Sequence, residues 1–221
     1  MYNALILMGD IESGSYWDHI TGRCVHGPLE GYTLAVFPLV NMTASQALSS
    51  YPDLQVALSA LRLAPRILSF FMEWSRRSRR GFFPPVFMKT MGPEDTRRPR
   101  MEQGLGVWTA ADRRFYPLKH LRQHGGAVID ELGGRRLLVC IDRQSGLPAA
   151  VYTRAAACSW QQATLCLDSG ELFRGGTLRD DRGVLQRTER PLQLFTRWYG
   201  FACTFPGCTV YQHRQDTTTS S

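Results

Sequence analysis

The sequence contains no long hydrophobic run. Its longest apolar candidate, residues 4–8, is only a strand's length, whereas a helix that spans a membrane needs about 18 to 20 apolar residues. The start of the chain also lacks the basic stretch and the cleavage site of a secretory signal. The sequence therefore predicts no transmembrane segment and a cytoplasmic protein by default; a signal peptide encoded upstream of Met1 would make it an exported one.

Common catalytic motifs are missing as well. The sequence has no glycine-rich nucleotide loop, no G-x-S-x-G elbow, no H-E-x-x-H and no C-x-x-C. These short patterns mark many nucleotide-binding proteins, hydrolases, metalloproteases and thiol oxidoreductases. Those classes are disfavoured, and the sequence leaves open whether the protein is an enzyme.

Lysine is scarce, and the basic charge is unevenly placed. Only Lys89 and Lys119 are lysine among the 26 basic residues, and residues 61–100 hold ten basic against three acidic residues. That excess equals the whole net charge of +7, so the rest of the chain is neutral overall. A nucleic-acid domain usually spreads basic residues over a face that also exposes aromatics. We therefore expect no nucleic-acid partner.

Six cysteines occur in 221 residues, of which 43% are apolar. A chain of this size can bury a core without disulfide or metal staples. Folding alone therefore demands no cofactor. The redox state of the cysteines and the oligomeric state are left open.

Strand and turn signals divide the chain into two strand-rich halves. Residues 1–60 form the first half, 61–104 a basic helix with its connector, 105–212 the second half and 213–221 a disordered tail. In the first half we expect strands over residues 4–8 and 33–37, and a helix that begins after Thr43 and ends before Pro52. In the second half, strands are predicted over 128–132, 137–141, 149–152 and 163–167, followed by an apolar helix over 193–204.

An internal repeat supports this division. Tyr51-Pro52 and Phe205-Pro206 each follow a predicted helix, and each proline is followed four residues later by valine. Two copies of a helix, an aromatic-Pro stop and a strand are the simplest interpretation. The predicted fold class is α+β and mainly β, with two related halves that each place a short helix before an aromatic-Pro-strand segment.

The densest reactive chemistry lies in one short segment. Asp18, His19, Cys24 and His26 place a carboxylate, two imidazoles and a thiol within nine residues. In a regular strand Cys24 and His26 would share a face, and a turn at residues 21–22 would fold His19 towards them. These ligand types suit zinc or copper, although the spacing matches no closed zinc site. The hypotheses are a metal or small-ligand site, an enzyme that uses Cys24 with His19 or His26, and an ordinary hairpin with satisfied polar side chains.

A second set of metal-ligand types, Cys203, Cys208 and His213, has even spacing. Cys203 falls in an apolar helix and His213 in a loose tail, so buried cysteine is favoured over a metal site.

The basic helix predicted within residues 61–80 ends in four arginines: Arg76, Arg77, Arg79 and Arg80. Apolar positions on one side and arginine at the end suit a membrane surface or an anionic partner, as in a peripheral membrane or scaffold protein. Packing between the two halves, with a solvated charged end, is the alternative.

Several specific blocks carry a family resemblance. The first half contains Tyr2-Asn3, Gly14-Ser15-Tyr16-Trp17, Thr21-Gly22 and Gly27-Pro28-Leu29-Glu30-Gly31, and then Tyr51-Pro52-Asp53. Residues 104–107, 115–118, 130–134 and 195–201 continue the pattern. The chain resembles the domain-of-unknown-function family numbered 3179. Members usually carry further strands before the Tyr-Asn pair, so the resemblance implies a chain that lacks the N-terminal part of the domain. It implies a fold more than an activity.

Overall fold

The computed structural model describes residues 5–55, 85–186 and 189–212. The helix predicted within residues 61–80, with Arg76, Arg77, Arg79 and Arg80, lies outside these described residues, and so does the tail predicted over 213–221. The chain divides into two compact units. Unit 1 comprises Met1–Gln103 and Thr196–Gly207, and unit 2 comprises Gly104–Phe195 and Cys208–Ser221. The boundaries expected at residues 60, 104 and 212 stay a prediction.

The regular secondary structure of the described residues is mainly strand, with four short helices. In chain order they are β1 (Leu7–Gly9), β2 (Tyr16–Asp18), β3 (Cys24–His26), α1 (Ala44–Ser50), α2 (Pro85–Met88), β4 (Gln103–Trp108), β5 (Arg113–Pro117), α3 (Leu118–Gln123), β6 (Ala127–Leu132), β7 (Arg135–Ile141), β8 (Pro148–Tyr152), β9 (Cys158–Gln161), β10 (Thr164–Leu167), β11 (Leu172–Arg174), β12 (Thr177–Arg179), β13 (Leu192–Arg197), α4 (Trp198–Thr204) and β14 (Thr209–Val210). The prediction of an α+β, mainly β fold is confirmed. None of the helices described is long and apolar enough to cross a bilayer.

In unit 1, helix α1 is set by local sequence. The Thr43 hydroxyl accepts a hydrogen bond from the Gln46 backbone N–H, and the Gln46 side chain accepts one from the Thr43 backbone N–H at 2.9 Å. This reciprocal capping box satisfies two N–H groups that the first turn leaves without partners. The helix begins after Thr43 and ends before Pro52, as the sequence predicts.

The strand expected over residues 33–37 is reduced to one bridge, between Arg23 and Thr33. Leu34 and Phe37 are exposed at 49% and 77%. Strand propensity needs a paired backbone and a buried face to act on. The described residues pair this backbone only at its start, where Thr33 bridges Arg23 and the Leu34 N–H donates to the Gly22 carbonyl, and they bury neither face of it.

Helix α4 supplies core residues to unit 1. Trp198 and Phe201 are fully buried and lie three residues apart on one helix face. The Trp198 indole N–H donates to the Asp95 carbonyl oxygen at 2.7 Å. The Phe205 ring lies 5.0 Å from the Phe201 ring, measured between centroids. The aromatic group at this end of the chain is therefore core.

Helices α1 and α4 end alike. Each has seven residues and stops directly before an aromatic-Pro pair. The backbone angles φ and ψ are −137° and 82° at Tyr51, and −124° and 74° at Phe205. This likeness supports the internal duplication, which stays a prediction.

In unit 2, the sheet β6-β7-β8 lies between two hydrophobic clusters. Successive side chains of a strand point to opposite faces. Accordingly Leu137, Val139 and Ile141 of β7 join one cluster, while Leu138 and Cys140 join the other. The first cluster is completed by β4, β5 and α3, and the second by β10, β11 and β12. The strands predicted here are confirmed to within a few residues at each end.

The apolar stretch at residues 193–204, predicted as one helix, is a strand followed by a helix. β13 ends at Arg197 and α4 begins at Trp198. The prediction is wrong for residues 193–197 because their backbone pairs with β4 in the sheet β13-β4-β5-β14. The buried Gln193 side chain accepts from the Ala150 N–H at 2.7 Å and donates to the Ala150 carbonyl at 3.0 Å. It therefore occupies the hydrogen-bonding groups at the edge of β8.

Candidate functional site

Strands β2 and β3 pair with a bulge between them. Trp17 lies opposite Cys24 and Tyr16 lies opposite His26, so Val25 is an extra residue on β3. Residues opposite each other on paired strands share a face. Cys24 is therefore buried beside Trp17, whereas His26 is exposed beside Tyr16, with 6.2 Å between the two ring centroids. The bulge separates the thiol and the imidazole that regular alternation would place together.

The other predicted site residues serve the local turn. Asp18 accepts hydrogen bonds from the Ile20 N–H at 2.9 Å and from the Thr21 hydroxyl at 2.8 Å. The exposed His19 ring places Nδ1 2.9 Å from the Ile6 carbonyl oxygen. The Cys24 thiol lies 3.4 Å from the His26 carbonyl and has no exposed surface. Each of these side chains thus has its own hairpin partner.

A metal centre at these residues stays a sequence-based prediction. Within residues 5–55, 85–186 and 189–212, no group of three or more His, Cys, Asp or Glu side chains is arranged to hold a metal ion. The zinc or copper site at Asp18, His19, Cys24 and His26 is testable by elemental analysis after growth with both metals, with a Cys24→Ala/His26→Ala control. The pairing of Cys24 with His19 or His26 in catalysis stays a prediction too.

The second set of metal-ligand types includes one residue that lies outside the described chain, His213. Of the other two, Cys208 is buried and Cys203 is half-buried. Burial, and then the nearby carboxylates of Glu94 and Asp95, raise the pKa of the Cys203 thiol. Because the thiolate is the nucleophilic form of cysteine, the raised pKa lowers the fraction of Cys203 that is reactive at neutral pH.

The predicted segment does line a cleft in unit 1, of about 840 Å³. The lining residues come from the hairpin, from residues 92–95 and from residues 202–207: Leu5, Leu7, Asp18, Thr21, Arg23, Cys24, Val25, Glu30, Gly92, Pro93, Glu94, Asp95, Ala202, Cys203, Thr204, Pro206 and Gly207. Small-molecule sites commonly enclose about 300 to 1,000 Å³. Sequence reasoning missed the second and third stretches, because nothing in their composition signals that they fold beside the hairpin.

Two of the carboxylates that line this cleft are neutralised by nearby arginines, while a third, Asp18, accepts hydrogen bonds from its own turn. Asp95 pairs with Arg97 at 2.7 Å, and Glu94 accepts a hydrogen bond from Arg100 Nε, also at 2.7 Å. Arg98 pairs with Glu102 at 2.6 Å in the same stretch. Three arginines that the sequence counts in its basic excess are therefore matched by carboxylates.

The two remaining charged side chains that line the cleft differ from Glu94 and Asp95 in their ion pairing. Arg23 and Glu30 are both exposed, and neither forms an ion pair with any residue of the described chain. Backbone hydrogen bonds hold the loop that carries Glu30 against β3. The Cys24 N–H donates to the Tyr32 carbonyl at 2.8 Å, and the Gly31 N–H donates to the Cys24 carbonyl at 3.2 Å. Within the described chain, this hairpin and the loop after it thus present a guanidinium and a carboxylate that no ion pair occupies.

Unit 2 contains a second polar network. The Tyr116 hydroxyl donates to Asp130 at 2.8 Å, and Arg114 binds the same carboxylate oxygen at 2.6 Å. The Tyr116 ring is fully buried and stacks on Tyr211 with 5.2 Å between centroids. Burial, and then the charge of Asp130, raise the pKa of Tyr116 far above its usual range.

This network predicts a loss of stability in alkali. The folded-state pKa of Tyr116 lies above the unfolded value of about 10, so the folded state binds the phenol proton more tightly. That contribution is complete below about pH 10 and is lost as the pH rises further. We expect the free energy of unfolding, measured by urea titration, to fall above about pH 10, and to fall less steeply for Tyr116→Phe. Tyr32→Phe, at a residue that is 68% exposed, is the control and should keep the parent slope. Equal slopes for Tyr116→Phe and the parent would contradict the assignment.

Comparison with known proteins gives one result. A family model described as protein of unknown function, DUF3179, matches residues 1–193. No curated protein and no solved structure matches the chain. The match covers most of the 221 residues and includes the hairpin that lines the cleft. The family resemblance read from residues 2–53 and 104–134 is thereby confirmed, and the chain belongs to the DUF3179 family.

Proposed function

We propose that this protein binds a small zwitterionic molecule with an apolar body in the cleft of unit 1. The observation that carries the proposal is that two exposed side chains of opposite charge, Arg23 and Glu30, line the same cleft. A guanidinium binds a carboxylate through two parallel N–H donors. A carboxylate such as that of Glu30 can in turn accept hydrogen bonds from an ammonium group.

The rest of the lining suits an apolar ligand body. Leu5, Leu7 and Val25 line the cleft from the hairpin side, and Ala202 and Pro206 line it from the third stretch. Ligand sites are typically apolar with a few polar groups that fix orientation. The internal ion pairs of Glu94 and Asp95 keep these carboxylates from acting as competing sites for the ammonium group.

The test uses three ligands that share one branched apolar body and differ in which charged groups they carry. Leucine carries both charges, 3-methylbutylamine only the positive one and 4-methylpentanoate only the negative one. Isothermal titration of the full chain should show leucine binding about tenfold or more tightly than either. Arg23→Gln should weaken leucine and the acid but not the amine, whereas Glu30→Gln should weaken leucine and the amine but not the acid.

A matched control distinguishes local from general electrostatic effects. Arg182→Gln removes an exposed arginine from a turn of unit 2 and should leave all three affinities unchanged. The proposal is wrong if none of the three ligands binds, or if Arg23→Gln and Arg182→Gln have the same effect.

A further inference from the structure

Unit 2 contains a groove whose two walls are strand edges. It encloses about 800 Å³ and is lined by residues 127–131 and 209–212, together with Arg114, His124 and Arg136. β6 is the terminal strand of its sheet, and β14 is the terminal strand of the sheet β13-β4-β5-β14. Side chains alternate between faces along a strand. Five consecutive residues of β6, 127–131, line the groove. Both faces of the strand therefore contribute, and its backbone edge faces the groove.

The hydrogen bonds of β6 show which backbone groups face the groove. The Gly126 carbonyl accepts from Ile141 N–H at 2.8 Å, on the side of β7. The Glu131 N–H and carbonyl instead bond to the side chains of Asp130, at 2.8 Å, and Arg114, at 3.1 Å. Along an antiparallel strand, the N–H and carbonyl of one residue point towards the neighbouring strand and those of the next residue point away from it. The N–H and carbonyl groups of Ala127 and Ile129 therefore point away from β7, as those of Glu131 do. Within the described chain, the Ile129 N–H and carbonyl have no hydrogen-bond partner.

The opposite wall repeats this arrangement. β14 runs parallel to β5, with Thr209 beside Arg114 and Val210 beside Phe115. The Tyr211 N–H donates to the Phe115 carbonyl at 2.8 Å, so Tyr211 faces β5. By alternation along the strand, the N–H and carbonyl of Val210 face the groove.

Arg114 links the two edges at one end. Its Nε donates to the Thr209 hydroxyl at 3.2 Å, while its Nη1 donates to Asp130 at 2.6 Å and to the Glu131 carbonyl at 3.1 Å. The side chain therefore spans from β14 to β6. The groove next to it has donors and acceptors on both walls.

We propose that this groove binds an extended peptide segment of another protein, which adds as a strand between β6 and β14. Strand addition at a sheet edge is a recurrent mode of peptide recognition, with affinity from main-chain hydrogen bonds. An open edge is otherwise a liability that proteins usually cover. Because a strand has donors and acceptors on both sides, one peptide can satisfy Ile129 on one wall and Val210 on the other.

The first experiment changes only the peptide. The probe is a fluorescein-labelled, end-capped Thr-Val-Thr-Val-Thr-Val peptide, and its binding to the full chain is followed by fluorescence anisotropy. Two matched peptides carry N-methyl groups on either the odd or the even residues, which removes the amide donors of one side. We expect both to bind about tenfold more weakly. Equal binding of the N-methylated peptides would overturn the proposal, as would failure of the parent peptide to bind.

The second experiment changes the protein. Ile129→Pro removes an N–H that points away from the ladder, a position where edge strands tolerate proline. The variant should keep the parent circular dichroism spectrum and bind the probe about tenfold more weakly. On the unaltered chain, hydrogen exchange at the Ile129 and Val210 amides should slow when the peptide is added, while exchange at Val128, which faces β7, should not change. Binding without protection of these two amides would place the peptide elsewhere and overturn the proposal.

Discussion

Replacement of Trp198 by alanine is expected to lower the free energy of unfolding by about 3 to 5 kcal/mol, the cost typical of removing a large aromatic side chain from a core. Trp198 has no exposed surface, and its indole N–H donates to the Asp95 carbonyl at 2.7 Å. The variant loses the buried apolar area, leaves a cavity and removes the donor to Asp95. Urea unfolding followed by far-ultraviolet circular dichroism measures the change.

Two further variants separate these contributions. Trp198→Phe keeps most of the apolar volume but lacks the N–H, and we expect a smaller loss, of about 1 to 2 kcal/mol. Tyr32→Ala removes an aromatic side chain of the same unit that is 68% exposed, and should change stability by less than about 0.5 kcal/mol. If Trp198→Ala were no more destabilising than Tyr32→Ala, the role of α4 in the core of unit 1 would be refuted.

Replacement of Gln193 by leucine should cost about 2 to 6 kcal/mol of unfolding free energy, because two buried backbone groups lose their partner at about 1 to 3 kcal/mol each. The Gln193 amide bonds to both the N–H and the carbonyl of Ala150, and both residues are buried. Leucine fills a similar volume without donors or acceptors. Hydrogen exchange at the Ala150 amide should accelerate by about tenfold or more in this variant.

Gln161 on β9 provides the matched control. Its side chain is exposed, so Gln161→Leu should change stability by less than about 0.5 kcal/mol. A Gln193→Leu variant with parent stability and unchanged exchange at Ala150 would show that the side-chain amide does not close the edge of β8.

Features that short sequence windows determine were predictable. Thr43 and Gln46 form a capping box within four residues, and the Gly133-Gly134 turn between β6 and β7 depends on adjacent glycines with φ of 61° and 70°. Features that depend on distant partners were not. The strand at residues 193–197 needs its pairing with β4, and the bulge at Val25 exists only in the pairing of β3 with β2.

The candidate site shows the same division. The segment from Asp18 to His26 was predicted from its reactive residue types, and five of the cleft's lining residues come from it. Its separation into a buried Cys24 and an exposed His26 could not be read from spacing, since spacing assumes regular alternation. Nor did residues 92–95 and 202–207 signal that tertiary folding brings them to the hairpin.

The bulge at Val25 also bears on how this hairpin can change length during evolution. Trp17 already lies opposite Cys24, and Tyr16 already lies opposite His26. Deletion of the Val25 codon would leave both pairings in place and would turn neither neighbouring side chain to the other face. Elsewhere in a half-buried strand, a one-residue deletion reverses the facing of every side chain beyond it. Val25 is therefore the position of β3 at which an alignment of relatives should place a gap.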